Sequence, residues 1–376
     1  MKLAFYAPMK SPTHPVPSGD RRMGRLLWQA LERAGFEVGL ASEFRSFDKT
    51  GDPDLHQKNQ RQGEKEAERL LANWRINPKE TPKVWFTYHL YHKAPDWIGP
   101  IVCNALNIPY FIAEASHAPK RAHGAWQLGY EAAMAAIGSA ATVFHMTTLD
   151  GECLRPLVGD DSRLVFLPPF LDTQNFLASQ DQNLDVNAEI EKAGGSLARI
   201  NLLSVAMMRD GDKLVSYEQL GTALSQVKQD DWQLLVVGDG EQRQDVVRFL
   251  GSLGDKVIYL GARPAEQLPG FYMVSDLYVW PAHGEAYGMA FLEAQAAGLP
   301  VVAGNIRGVP DVVKNQVTGI LTDEGNLPAF AGAIDGLLND PARRQKMSEA
   351  ARDFVLSDRD IKAIAPILKA HIEAAI

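Results

Sequence analysis

Two acids set out the chemistry that this sequence offers. Glu285 and Glu293 lie in Pro281-Ala-His-Gly-Glu-Ala-Tyr-Gly-Met-Ala-Phe-Leu-Glu-Ala-Gln-Ala-Ala-Gly-Leu-Pro300, a run that reads as a strand end, a glycine-bearing loop and a helix stopping at Gly298. On one unbroken helix, eight steps turn by about 80° and climb about 12 Å, so the two carboxylates would not share a face closely. Gly288 frees the backbone between them, which places Glu285 in the loop and starts the helix near Met289. The unpaired N–H groups at Met289 and Ala290, with the positive end of the helix dipole, suit a diphosphate. By themselves the two acids have a plainer reading: Glu285 as a helix N-terminal acid and Glu293 as a solvated helix residue.

Other segments point the same way. Gly304-Asn-Ile-Arg-Gly-Val-Pro-Asp311 is a second backbone-exposing loop after a short apolar strand, where open α/β sheets bind ligands. With a diphosphate at the helix start, Glu285 falls on the side where a hexose would hang. Glu293 falls on the side where ribose hydroxyls need a bidentate acceptor. A nucleotide-sugar has this length and polarity. Leu203-Ser-Val-Ala-Met-Met-Arg209 runs a strand into Arg209, with Lys213 four residues on, two cations that would otherwise be a solvated loop pair. Val236-Val-Gly238-Asp-Gly240 is part of a dinucleotide fingerprint, but Arg243 stands where a third glycine is needed, so it is weak evidence for NAD.

In the front half, Ser18-Gly19-Asp20 precedes a helix, with Asp20 also readable as its N-cap, and Tyr110-Phe-Ile-Ala-Glu-Ala-Ser-His117 is a strand ending in a histidine. His89 and His92, three apart, have no third ligand near them in sequence and are read as shaping an acceptor side rather than as a metal pair. Asp52-Pro-Asp54, Asp210-Gly-Asp212 and Asp358-Arg-Asp360 each imitate a two-aspartate metal motif, but none sits at a suitable strand end, so no metal is expected. Cys103 and Cys153 lack paired spacing and are read as reduced packing residues.

Short apolar runs alternate with amphipathic stretches of helical length, the pattern of parallel strands joined by crossover helices. Strands are expected near Leu3–Ala7, Val38–Ala41, Val84–Tyr88, Tyr110–Ala113, Ala141–His145 and Leu164–Leu167, with helices near Arg22–Ala34, Gly63–Trp74 and Trp126–Ile137. The back half repeats this with strands near Ile200–Val205, Gln233–Val237, Val257–Leu260, Leu277–Trp280, Pro300–Ala303 and Gly319–Leu321. Its helices fall near Gln219–Val227, Gln242–Gly251 and Met289–Ala297. The expected organisation is a first domain over 1–176, a connection over 177–197, a second domain over 198–350 and a tail over 351–376 packing back on the first. The tail should break near Ser357 and Pro366.

Composition narrows the function. With 376 residues, 46% hydrophobic and 22% charged, the chain is long enough for two cores. Residues 1–176 carry 20 Lys and Arg against 19 Asp and Glu, and the remainder 18 against 27, so the net −8 divides into +1 and −9. That balance argues against nucleic acid as a partner. The opening apolar run is too short for a signal sequence, so a cytoplasmic location is expected, with peripheral contact at the inner membrane face left open. Lys10, Arg21, Arg22, Arg25, Lys120 and Arg121 could serve an acidic acceptor or anionic lipid headgroups, or be a solvated face.

The ordered set Glu285, Gly288, Glu293, Ala-Ala-Gly298, Leu-Pro300, Gly308-Val-Pro-Asp311 and Thr318-Gly319, over most of the chain, resembles the retaining glycosyltransferases of family 4. The resemblance implies the GT-B fold, two Rossmann-like α/β domains with parallel sheets facing across a cleft. It also implies transfer of a hexose-type sugar from a nucleotide-diphosphate sugar to a glycan, lipid-linked or small-molecule acceptor, as in polysaccharide biosynthesis. It assigns Arg209 and Lys213 to the diphosphate and the leaving charge, and Glu285 and His117 to the sugar. Glu293 takes the ribose, Gly19 acts through its backbone, and Gly288, Met289 and Ala290 bring helix amides. Gly238 lies beside the nucleotide and Arg263 near the base. The family usually has glycines around the Arg and a longer spacing to the Lys, so Ala206 and the Asp210-Gly-Asp212 insert depart from its pattern. No cofactor is implied, and UDP or GDP is favoured over ADP. The rival readings are a sugar-nucleotide epimerase or phosphorylase of the same architecture, and a non-catalytic sugar-nucleotide-binding protein.

Overall fold

In the computed structural model, residues 1–16, 18–174, 176 and 186–376 are described. The chain forms two compact units, Met1–Pro168 with Ile361–Ile376, and Pro169–Asp360. The sequence reading drew these divisions at 176 and 350. Of the connection it placed at 177–197, residues 177–185 lie outside the described residues and Val186–Lys192 is a helix.

The first unit holds a parallel sheet of β1 (Lys2–Tyr6), β2 (Glu37–Ser42), β3 (Val84–Leu90), β4 (Tyr110–Ala115), β5 (Thr142–His145) and β6 (Leu164–Phe166), in the order β2-β1-β3-β4-β5-β6. The second holds β7 (Ile200–Val205), β8 (Trp232–Val237), β9 (Val257–Gly261), β10 (Leu277–Trp280), β11 (Val301–Asn305) and β12 (Gly319–Asp323), in the order β12-β11-β10-β7-β8-β9. All twelve expected strands are present. Central strands such as β3 and β8 are apolar almost throughout because helices cover both faces, so burial does not alternate. In each sheet the winding reverses once, between β1 and β3 in the first and between β7 and β10 in the second. Such switch points open a crevice at the carboxyl ends of the two diverging strands.

Helix boundaries depart more from the sequence reading. The helix expected at Gly63–Trp74 spans Pro53–Ile76, begun by Pro53 at a position needing no N–H and capped by the Asp52 carboxylate. The helix expected at Gln219–Val227 begins at Asp212, because Gly211 turns the chain at a φ of 84°. The helices Gly99–Leu106 and Thr148–Val158 were not anticipated. In the tail the break falls between Pro341–Asp358 and Ile361–Glu373, where Asp360 accepts from the backbone and hydroxyl of Thr173. Pro366 sits inside the last helix and does not end it. That helix packs on Gly19–Arg33 within the first unit. Cys103 is buried, but Cys153 is exposed and is not the packing residue expected.

One apolar knot of the first unit carries a pH signature. His92 is buried edge-on against Trp126, neither of its ring nitrogens has a hydrogen-bond partner, and burial pushes its pKa down to about 4. Between that value and the ordinary 6.5, the unfolded chain binds a proton that the native chain refuses, so stability falls as pH drops through this window and levels off below it. A thermal-melt series from pH 7 to about 4 should show wild type losing more stability than His92→Gln. Parallel curves would contradict this.

Candidate active site

In the second unit the switch point is bridged by charge. β7 leads through Arg209 into the helix Asp212–Leu224, and β10 leads through Pro281–Gly288 into the helix Met289–Ala296. Lys213 is therefore not on the loop, as the sequence reading had it, but in the first turn of its helix. Its ammonium pairs with the Glu285 carboxylate, both about one-fifth exposed, and lies 5.5 Å above the Trp280 ring.

Both helices open on a glycine, Gly211 and Gly288, with no side chain capping the free amides. Side-chain caps normally satisfy one of these donors. The loop that leads into the second helix touches the start of the first, since a Cβ at Gly284 would lie 2.3 Å from the Asp212 carboxyl carbon. Gly288 has a φ of 77°, and a Cβ there would lie 2.5 Å from Phe291, so only glycine fits the turn. Arg209 is exposed and has no ion-pair partner among the described residues. An exposed guanidinium, an ammonium and two open helix starts can hold a multiply charged anion.

Glu293 is 3% exposed, and its Oε2 accepts from the Tyr272 hydroxyl at 2.8 Å. Gly238 is a packing residue in the first instance, for a Cβ there would lie 1.9 Å from the Ala206 carbonyl oxygen. This closeness lets the loops after β7 and β8 bond backbone to backbone, with Met208 N–H donating to Asp239 at 2.9 Å and Gln242 N–H to Met208 at 2.9 Å. Arg263 pairs with Glu189 at 2.6 Å and lies over Phe271. A residue the sequence reading passed over is Arg307. In the left-handed region at φ 45°, it donates to the Gly284 carbonyl at 2.9 Å and so ties the loop after β11 to the Glu285 loop.

In the first unit, Ser18 rather than Asp20 caps the helix Gly19–Arg33, accepting from Arg21 N–H, and Gly19 is its first residue. Asp20 instead lies 3.2 Å from His89 Nδ1. His117 has both ring nitrogens engaged. Nδ1 lies 3.0 Å from the Cys153 carbonyl, which can only accept, and Nε2 lies 3.0 Å from the Tyr130 hydroxyl. A sugar hydroxyl at Nε2 would have to displace Tyr130. Two arginines of the basic cluster are engaged by backbone, Arg21 donating to the His14 and Pro15 carbonyls and Arg25 to Pro12; with Arg45, which donates to Met9, they pin the loop after β1. Among the described residues, no group of three His, Cys, Asp or Glu gathers as a metal set, and no helix is long and apolar enough to cross a membrane.

These two doubly wound sheets each place charged side chains at the switch point, where open α/β sheets bind ligands. Residues 205–354, within the second unit, match the model of the family Glycosyl transferases group 1. The chain is 30% identical over 212 residues, 53% of each chain, to the GDP-mannose-dependent alpha-(1-6)-phosphatidylinositol monomannoside mannosyltransferase of Mycolicibacterium smegmatis. It is 37% identical over 107 residues to the D-inositol 3-phosphate glycosyltransferase of Corynebacterium diphtheriae, covering 28% of this chain and 25% of that one. The chain thus spans about half the length of the first of these curated relatives, and less of the second. Among solved structures it resembles Anabaena HepE in complex with UDP, at a TM-score of 0.73 and 17% identity over the whole of both chains. It also resembles sucrose-phosphate synthase from Thermosynechococcus elongatus, at 0.71 and 21% over the whole of both. The fold is of the GT-B class.

Proposed function

We propose that this protein is a glycosyltransferase that takes a hexose-type sugar from a nucleotide-diphosphate sugar and passes it, with retention of anomeric configuration, to a glycan, lipid-linked or small-molecule acceptor. The observation that carries the reading is the pair of uncapped helix starts at Gly211 and Gly288, set with Arg209 and Lys213 around one switch point. The diphosphate sits on these amides and cations, which also neutralise the charge that grows on the leaving nucleotide. Glu285, held by Lys213, orients the hexose. Glu293 takes the ribose hydroxyls. Gly19, Met289 and Ala290 act through their backbones, and Arg263 lies towards the base. No enzymic nucleophile is placed: the leaving phosphate accepts the acceptor's proton as the new bond forms on the face it vacates. Proton NMR of the product should show the donor's anomer, and inversion would refute this step.

The name of the mycolicibacterial relative makes GDP-mannose the first donor to test, with UDP-sugars next. Thermal shifts with GDP, UDP and ADP and their hexose conjugates should single out one base. Because Glu293 is buried against Tyr272, Glu293→Gln is the informative variant. It should melt close to wild type without ligand and lose most of the nucleotide shift. With charge neutralised by side chains and helix ends, the reaction needs no metal, and EDTA should leave the rate unchanged; its abolition would overturn that part.

A further inference from the structure

The switch point of the first unit is bridged by charge as well. His89 stands near the end of β3 and Glu114 near the end of β4, opposite one another, since Tyr88 pairs with Ala113 and Leu90 with Ala115. Both residues have left-handed backbones, at φ 60° and 59°, in a sheet where every neighbour is extended. Non-glycine residues hold that conformation only where the surroundings impose it. The turn aims the His89 ring at Asp20, on the helix that follows β1, so the Asp20–His89 pair spans the point where β1 and β3 diverge. His89 Nδ1 lies 3.2 Å from Asp20 and 4.0 Å from Glu114. The Glu114 carboxylate is buried beside Tyr88, which lowers its pKa against the effect of burial.

The charges acting on this group are Asp20, Glu114 and Asp150, with Lys10 on Asp20. Burial lowers the His89 pKa, but Glu114 and Asp20 outweigh it and the balance is raised, so the imidazole is held protonated towards neutral pH. Burial raises the Glu114 pKa. Arg21, Arg25 and Arg45 are spent on loop carbonyls.

We propose that Asp20, His89 and Glu114 select the acceptor, taking the hydroxyls of an uncharged polyol or sugar and rejecting its phosphate ester. This rests on the sugar-transfer reading. Hydroxyls donate to the Asp20 and Glu114 carboxylates, and the Nε2–H of His89 donates to a hydroxyl oxygen, while a phosphate would be repelled by the Asp20 and Glu114 carboxylates on either side of one imidazole.

Binding of matched pairs to the whole protein tests the proposal without turnover: myo-inositol against its monophosphate, and methyl mannoside against mannose 6-phosphate, followed by ligand-observed NMR titration. The neutral member should bind at least about tenfold more tightly, and Glu114→Gln and Asp20→Asn should each weaken it about tenfold while narrowing the ratio. Glu114→Gln keeps the buried shape, and the partly exposed Asp20 supplies a second variant should that one fold poorly. Tighter binding of the phosphate ester, no measurable binding of a neutral member up to its solubility, or affinities unmoved in both variants would overturn it. Nucleotide thermal shifts on the same preparations test sugar transfer alone, so their absence counts against that reading while the polyol ratio still decides this one.

Discussion

Glu285→Gln should lower kcat by about 10²–10³-fold while leaving the melting temperature within a few degrees of wild type. The carboxylate is four-fifths covered and paired with Lys213, so the substitution removes charge without removing shape. Lys213 would then keep a net positive field over the diphosphate, and nucleotide affinity should hold or rise. Orientation of the hexose, by contrast, would be lost. Lys213→Ala has the opposite sign in the ground state: it strands a largely covered carboxylate beside the bound anion, and nucleotide binding should weaken. Steady-state rates with nucleotide titrations on the two variants and their double mutant check this. Similar losses of nucleotide affinity in both single variants would show that the pair acts only as a structural clamp.

The second large effect is structural. Gly238→Ala should destabilise the second unit by about 3 kcal/mol or more, because the new methyl would meet the Ala206 carbonyl oxygen, which has nowhere to go. That carbonyl also accepts from Tyr217, and the Ala206 N–H is tied to Val237 at 3.1 Å. The φ of 149° at Gly238 adds strain that no side chain adopts readily. Gly332→Ala is the control. It lies inside the helix Leu327–Leu338 with open space at its Cβ, and should be neutral or stabilising by about 0.5–1 kcal/mol. Denaturant melts of the two variants give the comparison. A mild Gly238→Ala would mean that the loops after β7 and β8 are free to separate.

The strands were legible because each is a short apolar run bounded by turn residues, a pattern that survives without knowledge of neighbours. Glycine marked the start of Met289–Ala296 correctly for the same local reason. Lys213 fell outside the expected helix because Asp210-Gly-Asp212 reads as an insert between Arg209 and Lys213, whereas Gly211 is the start of Asp212–Leu224. Asp20 offered two local readings, and its partner His89 lies 69 positions away on another strand, where no spacing rule reaches it. Arg21 and Arg25, read as part of a cationic face, bond loop carbonyls, a use of charge that depends on where the backbone runs.

By itself the sequence determined the two α/β units, their parallel strands and the loop that carries Glu285, since each follows from periodicity and backbone freedom within a short window. The tertiary structure alone decided which strands diverge, and therefore which loops meet. Strand order brings Lys213 to Glu285 across one switch point and His89 to Asp20 across the other. It also decided the direction of the pKa shifts, because the burial and neighbouring charge that raise His89 and lower His92 exist only once distant segments have packed.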